Sequence, residues 1–315
     1  MEKIYNVYLF HKQDVCGELG YVSHVFEGSD EEAINYLRAK VSSDLPNAKR
    51  LSLRKPFSRS EYLAHCRLGG EISLLEELFQ TAGAAESVLY VATPVMDGAI
   101  EFNYTSRHGK LDITDVAAQM GAAGRMPDWL EMYTTEAGMD LPRLIHDDYY
   151  LAIRLTFNNR KFVSSMKLMV SFVDSIAYIE YGDIDGAFVK WLGQYADLAL
   201  LGITGEELWE LRNGLLHMTN IHSRAVLKSK VRRISFRVGG PADYPRELDG
   251  IYYFDFATLL VSVIPEALRK WISTYNDTPE KFPKFVERYD ETLSDSRMAI
   301  SRLGEVPLAS PYRPA

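Results

Sequence analysis

Residues 206–222 read EELWELRNGLLHMTNIH, and this stretch decides how the C-terminal half of the chain is interpreted. Its leucines recur at the spacing of one helix face, which predicts an amphipathic helix; they are Leu208, Leu211, Leu215 and Leu216. Thr204 followed by Glu207 has the capping-box pattern, which predicts that the helix begins there. An apolar stripe of this kind is typical of a helix packed against a core, so the leucines alone do not indicate a functional site.

The same helix carries Arg212, Asn213 and His217 in a chain with seven histidines. The spacing from the arginine to the histidine arises about once by chance in a chain of this size, and Arg59 with His65 has a similar one. Asn213 and His217 are four residues apart and share one face of an α-helix. Arg212 lies about 140° around an α-helix from His217, so a straight helix is not expected to stack these two side chains. Either the long arginine reaches round the helix or a second subunit completes the site.

The segments around this helix are mostly helical in pattern. Predicted helices cover residues 112–122, 127–138, 161–182, 185–202, 256–275 and 278–303. Residues 231–238 and 251–256 are rich in β-branched and aromatic side chains, which predicts a β-hairpin inserted between the helices. The tail at 305–315 contains three prolines and is predicted to be extended.

The first 110 residues mix the two kinds of pattern. Predicted strands cover residues 3–10, 21–26, 51–55, 87–95 and 99–105, and predicted helices cover 29–41, 58–70 and 73–83. Ser29 with Glu32 is a capping box, and Asp97-Gly98 predicts a tight hairpin turn. The expected fold class is therefore α+β, with a mixed domain over 1–110 followed by a mainly α-helical domain over 111–304.

Charge and composition disfavour three classes: proteins that bind nucleic acid non-specifically, secreted proteins and membrane proteins. The net charge is −8, and an acidic surface repels nucleic acid unless a local basic patch is present. Cys16 and Cys66 are the two cysteines and form no zinc pattern, which favours a reduced, cytoplasmic setting. The N-terminus has a strand-like pattern rather than that of a signal peptide, and charges interrupt the apolar runs short of a membrane span. We expect no association with a membrane.

A basic segment directly follows the opening stretch. Residues 222–237 contain no acidic side chain and carry six cations, namely Arg224, Lys228, Lys230, Arg232, Arg233 and Arg237. Such a reversal of charge is a candidate RNA-contact surface. The same residues would also suit an exposed strand edge that lysine and arginine keep soluble, and the sequence leaves both interpretations open.

Two acidic patterns are weaker candidates for metal binding. His146-Asp147-Asp148 resembles the His-Asp doublet of metal phosphohydrolases, but the residues after the doublet do not follow their pattern. Asp183 and Asp185 have the spacing of calcium ligands, yet the rest of a calcium loop is missing. We therefore expect no metal and no other cofactor.

The segment ITGEELWELRNGLLHMTN at 203–220, with the predicted helix pair before it, resembles the HEPN superfamily (higher eukaryotes and prokaryotes nucleotide-binding). Ribonuclease members of this family carry an arginine, a polar residue and a histidine in an Arg-x(4–6)-His motif. Arg212, Asn213 and His217 match that motif position by position. The resemblance covers roughly residues 150–225 and says nothing about the first 110. The predicted β-hairpin departs from the helical bundle of the family.

The resemblance implies metal-independent cleavage of RNA, in which the 2′-hydroxyl attacks the adjacent phosphate. His217 would act as general base or acid, Arg212 would stabilise charge on the phosphate, and Asn213 would orient either group. It also implies a homodimer that acts as a toxin, a defence effector or an RNA processor, with a regulatory partner bound through the N-terminal domain. The alternative is a non-catalytic HEPN-like protein that serves dimerisation or partner binding.

Overall fold

The computed structural model describes residues 2–84, 88–100, 105–106, 128–136, 138–218, 224–239 and 245–292. The chain divides into two compact units, and the break between them falls between Asp128 and Trp129. The boundary predicted at 110/111 lies within residues that are not described, as do the predicted helix at 112–122, the end of the last predicted helix and the tail at 305–315. The fold is α+β.

The first unit is built on one mixed sheet. Its strands are β1 (Glu2–Lys12), β2 (Val15–Phe26), β3 (Lys49–Ser58), β4 (Leu89–Met96) and the short β5 (Ala99–Ile100) and β6 (Thr105–Ser106). The order is β3-β2-β1-β4-β5, with β6 also paired to β4. The central pair β1 and β4 runs parallel, and the other pairs are antiparallel.

Helices cover both faces of this sheet. They are α1 (Asp30–Asp44), α2 (Arg59–Leu68) and α3 (Ile72–Ala82). Side chains alternate along a strand, so Ile4 and Tyr8 of β1 belong to the core under α1, whereas Tyr5, Val7 and Leu9 belong to the core under α2 and α3. Every residue from 4 to 9 is buried as a result, which explains why this part of the strand is apolar or aromatic at every position except Asn6.

Local signals in this unit are confirmed. Ser29 and Glu32 form the reciprocal capping box at the start of α1. Asp97 and Gly98 both have positive φ, at 47° and 88°, between the paired strands β4 and β5. Two consecutive positive φ angles are what a type I′ hairpin turn requires, so the Asp-Gly pair fixes this turn through backbone conformation.

The second unit is mainly helical. Its α-helices are α4 (Trp129–Met132), α5 (Leu141–Ile145), α6 (Leu151–Asn158), α7 (Phe162–Tyr181), α8 (Ala187–Tyr195), α9 (Gly205–Asn213), α10 (Arg224–Leu227), α11 (Phe256–Thr258), α12 (Ile264–Asp277) and α13 (Phe282–Glu291). Three π-helical turns extend or join them, at His146–Tyr150, Gly214–Met218 and Leu259–Val263. A small hairpin of β7 (Thr134–Thr135) and β8 (Gly138–Met139) follows α4.

The longest helix, α7, has the length and hydropathy of a membrane span, but half of its apolar window is buried inside the protein. Its buried side chains include Met166, Val170, Val173 and Ala177, which follow the spacing predicted for one core-facing stripe. One face of α7 therefore packs in the core of the second unit.

The predicted hairpin between residues 231 and 256 is wrong. Strand β9 (Ile234–Arg237) pairs with β11 (Ile251–Asp255) in parallel, and parallel neighbours cannot be joined by a tight turn. The hairpin is formed instead by the short strand β10 (Glu247–Leu248) and β11, across Asp249 and Gly250. Both turn residues have positive φ, 53° and 69°, as in the Asp-Gly turn of the first unit.

A buried carboxylate ties four segments of the second unit together. Glu180, near the end of α7, accepts hydrogen bonds from Trp271 Nε1 at 2.8 Å, Tyr275 OH at 3.2 Å and Tyr195 OH at 3.4 Å. Lys281 Nζ contacts both carboxylate oxygens, at 2.7 and 2.9 Å. The Glu180 side chain is 10% exposed, so these donors replace the water that the charge has lost.

Candidate functional site

The helix that carries Arg212 and His217 changes its winding between the two residues. It begins at the predicted capping box, where Thr204 and Glu207 bond each other's backbone N–H groups. The α-helical part ends at Asn213, and residues from Gly214 onward form a π-helical turn. Hydrogen bonds in a π turn run from i to i+5, so residues five positions apart return to nearly the same face.

This winding brings the two predicted catalytic side chains together within one chain. Arg212 Nη1 lies 3.4 Å from His217 Nε2. Of the two alternatives left open by the sequence, the contact within one chain is the one observed, on a helix whose winding is not α-helical throughout. A sequence signal was present in Gly214, since glycine is a poor helix former inside a helical pattern.

The hydrogen-bond chemistry assigns roles within the pair. A guanidinium can only donate, so Nε2 of His217 accepts in this contact and a neutral ring carries its proton on Nδ1. The His217 side chain is exposed, whereas that of Arg212 is 16% exposed. A solvent-facing imidazole with an unprotonated nitrogen is able to take a proton from a substrate hydroxyl.

Asn213 bonds the arginine rather than the histidine. Its Oδ1 accepts from Arg212 Nη1 at 3.0 Å. The i,i+4 spacing predicts that Asn213 shares a face with His217, but the side-chain hydrogen bond that Asn213 makes is to Arg212. Asn213 therefore helps to orient the guanidinium of Arg212, the residue directly before it in the sequence.

Asp174 is a site residue that the sequence patterns did not reveal. It lies on α7, 38 residues before Arg212, and its Oδ2 accepts a hydrogen bond from Arg212 Nη2. The Asp174 side chain is 34% exposed. A carboxylate at this position fixes the direction of the guanidinium and balances its charge, and no local motif could have indicated a contact so distant in sequence.

Aromatic packing fixes the remaining side of the guanidinium. Arg212 Cζ lies 4.8 Å from the centroid of the Trp209 ring, which is a cation–π distance. Trp209 in turn packs against Phe188 of α8, with ring centroids 5.3 Å apart. Arg212 Nε is buried and has no hydrogen-bond partner among the described residues. The guanidinium is thus held by its two terminal nitrogens and by the ring beneath it.

Arg232, which is predicted to contact RNA, also makes contacts within the protein. Its Nε and Nη2 donate to the two oxygens of Glu207, at 2.8 and 3.1 Å, and Nη2 also donates to the Gly202 carbonyl at 2.6 Å. The guanidinium lies 4.0 Å from the ring centroid of Tyr252. Because Glu207 belongs to the capping box of α9, Arg232 secures the start of the helix that carries Arg212.

The other cations of the basic segment differ in exposure. Lys228 and Lys230 are exposed. Arg233 is half-buried, and its Nε lacks a hydrogen-bond partner within the described part of the chain. The side chain of Arg224 lies outside the described residues. Lys228, Lys230 and Arg232 are therefore the members of the predicted RNA-binding set that are exposed among the described side chains, and of these Arg232 is paired with Glu207.

The second Arg-to-His match has different surroundings. His65 lies on α2 in the first unit, and its Nδ1 is 3.3 Å from Ser73 Oγ and 3.4 Å from the Gly70 carbonyl. These contacts belong to the turn between α2 and α3, where the helix ends at Gly69 in a left-handed conformation. His65 has the contacts of a residue that stabilises this turn.

His146 and Asp147 form a hydrogen-bonded pair, with Nδ1 2.9 Å from Oδ1. Asp148 accepts a hydrogen bond from the Tyr289 hydroxyl. No three His, Cys, Asp or Glu side chains are grouped to hold a metal ion within the ranges that the structure describes. The described geometry therefore does not support a metal site at His146, or one at Asp183 and Asp185.

Comparison of the chain with models of protein families, with curated proteins and with solved structures finds no match.

Proposed function

We propose that this protein is a HEPN-type endoribonuclease that cleaves RNA without a metal ion. The observation that carries the proposal is the contact between Arg212 and His217, which brings a phosphate-binding cation and a proton acceptor to within 3.4 Å. Cleavage by the 2′-hydroxyl needs both groups at one phosphate. The resemblance of residues 203–220 to the family motif supports the same assignment.

In this mechanism a bound phosphate would take the place of His217 at Arg212 Nη1, and His217 Nε2 would then accept the proton of the 2′-hydroxyl as its oxygen attacks phosphorus. Arg212 donates to the non-bridging oxygens, where negative charge increases in the transition state. Asp174, Asn213 and Trp209 hold the guanidinium in place, so little reorganisation is needed when RNA binds. Protonation of the departing 5′-oxygen requires a second acid, which the His217 of a second copy would supply in a homodimer.

The RNA strand would reach this site along the basic segment. Lys228 and Lys230 are exposed and follow the His217 helix in sequence. Their charge would draw phosphate towards a protein whose net charge is −8. We place the activity in the cytoplasm, as a toxin, a defence effector or an RNA processor, with a regulatory partner bound to the first unit.

One observation favours the alternative, a non-catalytic HEPN-like module for dimerisation or partner binding. Arg212 is 16% exposed and already bonds Asp174 and Asn213. Such an arrangement is also found where an arginine only stabilises a fold. This alternative predicts that substitutions at Arg212 and His217 alter assembly or stability and leave RNA intact.

The test is incubation of the purified protein with total RNA in EDTA, beside His217→Ala and His65→Ala. We expect wild type and His65→Ala to cleave RNA alike and His217→Ala to be inactive, because His65 stabilises a turn and His217 faces solvent beside Arg212. His65→Ala is the control for His217→Ala, because His65 also follows an arginine at a spacing that fits the motif. Equal cleavage by all three proteins would refute the proposal, as would no cleavage by a folded, dimeric wild type.

A further inference from the structure

The second unit contains a cavity that shares no residue with the Arg212 site. It has a volume of about 440 Å³ and lies between the segment from Pro142 to Tyr150 and one face of α12. The apolar part of its wall consists of Pro142, Ile145, Pro265, Leu268 and Ile272. This volume falls within the range of about 300–1,000 Å³ that small-molecule pockets occupy.

One π-helical turn borders the cavity and is joined to a second π-helical turn by a hydrogen bond. Tyr150, which lines the cavity, ends the turn at His146–Tyr150, and its hydroxyl donates to the carbonyl of Leu260 in the turn at Leu259–Val263. Pro265 follows that second turn and has no backbone N–H to donate. The hydroxyl hydrogen of Tyr150 is thus used in a bond within the protein. The polar groups considered for a ligand are instead those of His146 and Arg269.

His146 presents one defined polar atom. A carboxylate accepts hydrogen bonds only, so in the contact with Asp147 the Nδ1 atom of His146 is the donor. In a neutral ring Nε2 is then an acceptor. Asp147 also accepts from Tyr133 OH at 3.2 Å. The hydrogen bond from His146, followed by that from Tyr133, lowers the pKa of Asp147, which keeps the carboxylate in its accepting form.

Arg269 supplies donors at the same cavity. Its Nε and Nη2 donate to the two carboxylate oxygens of Glu266, at 2.9 and 2.7 Å. A guanidinium has five N–H groups, so those on Nη1 remain for a ligand. Glu266 balances the charge of Arg269. When His146 is neutral, the described residues of the wall therefore carry no unmatched charge.

We propose that this cavity binds a small, uncharged molecule with an apolar body and a hydroxyl head, of the phenol type. The apolar wall takes the body. The hydroxyl would donate to His146 Nε2 and accept from Arg269 Nη1 without adding charge. Glu266 already balances the charge of Arg269, so the wall offers no free counter-charge that would favour a carboxylate or an amine.

The experiment measures the binding of 4-propylphenol and 4-propylanisole to the full-length protein by calorimetry. The methyl ether keeps the shape and the acceptor oxygen and loses the donor. We expect the phenol to bind at one site about tenfold or more tightly than the ether, because the ether leaves His146 Nε2 without a partner. His146→Phe is expected to remove this preference and leave the affinity for the ether unchanged.

The second part of the experiment uses a variant in which a larger side chain fills the cavity. Ile272→Trp is expected to abolish binding of both compounds, whereas Val261→Trp, at a side chain 67% exposed and outside the cavity wall, is expected to bind as wild type does. Equal affinity of the wild type for phenol and ether would overturn the proposal. So would undiminished binding by Ile272→Trp, or no binding by a folded wild type.

Discussion

Arg212→Ala is expected to slow RNA cleavage by about 10²–10³-fold, the loss typical of removing one preorganised donor from an anionic transition state. Arg212→Lys is expected to lose most of the same activity. Lysine keeps the charge but cannot bond Asp174 and Asn213 and reach His217 at once, as the two terminal nitrogens of Arg212 do. Cleavage rates of one labelled RNA under single-turnover conditions measure both effects.

Arg50→Ala is the matched control for this result. Arg50 also bonds a carboxylate, Glu18, at 3.0 Å and also packs over an aromatic ring, that of Phe10, at 4.0 Å. It lies in the first unit, outside the proposed site, and its side chain is 55% exposed against 16% for Arg212, so its removal deletes the same two kinds of contact at a more exposed place. If Arg50→Ala slowed cleavage as much as Arg212→Ala, the effect would reflect stability and the assignment of Arg212 would fail.

Glu180→Ala is expected to lower the free energy of unfolding by about 3–5 kcal/mol, the cost of breaking a buried ion pair by removing one partner. The change leaves the indole of Trp271, the hydroxyl of Tyr275 and the ammonium of Lys281 without their shared acceptor. Burial, and then the charge of Glu180, also raise the pKa of Tyr275. Urea denaturation followed by tryptophan fluorescence measures the loss.

The control for Glu180 is another glutamate of the same unit. Glu266→Ala removes an exposed carboxylate that pairs with Arg269 three residues later on α12, and exposed pairs contribute little to stability. We expect this variant to unfold close to wild type. Similar losses in the two variants would show that Glu180 does not act as the centre of a buried network.

Local features of the fold could be predicted because neighbouring residues determine them. The capping boxes at Ser29 and Thr204 and the turn at Asp97-Gly98 follow from short-range hydrogen bonds and from backbone preferences. The pairing of β9 with β11 could not be predicted in the same way. Both strands were located, but their parallel direction depends on how the chain crosses between them, and nothing in the two strand sequences specifies it.

For the candidate site, the sequence predicts residues but not their geometry. The motif identified Arg212, Asn213 and His217, yet the contact between Arg212 and His217 depends on a π turn that an α-helical wheel misplaces. Asp174 was missed because it is 38 residues away from its partner. The pairing of Arg232 with Glu207 was not predicted, because a run of cations in sequence does not show which of them meets a carboxylate.

The central claim is that Arg212 and His217 promote attack by the 2′-hydroxyl of RNA, and one measurement tests it most directly. An RNA that the protein cuts is compared, in EDTA, with the same strand carrying a single 2′-deoxy nucleotide on the 5′ side of the scissile phosphate. We predict cleavage of the RNA to a 2′,3′-cyclic phosphate and a 5′-hydroxyl, and no cleavage at the modified position. Equal cleavage of the 2′-deoxy strand, or products that end in a 5′-phosphate, would contradict the account.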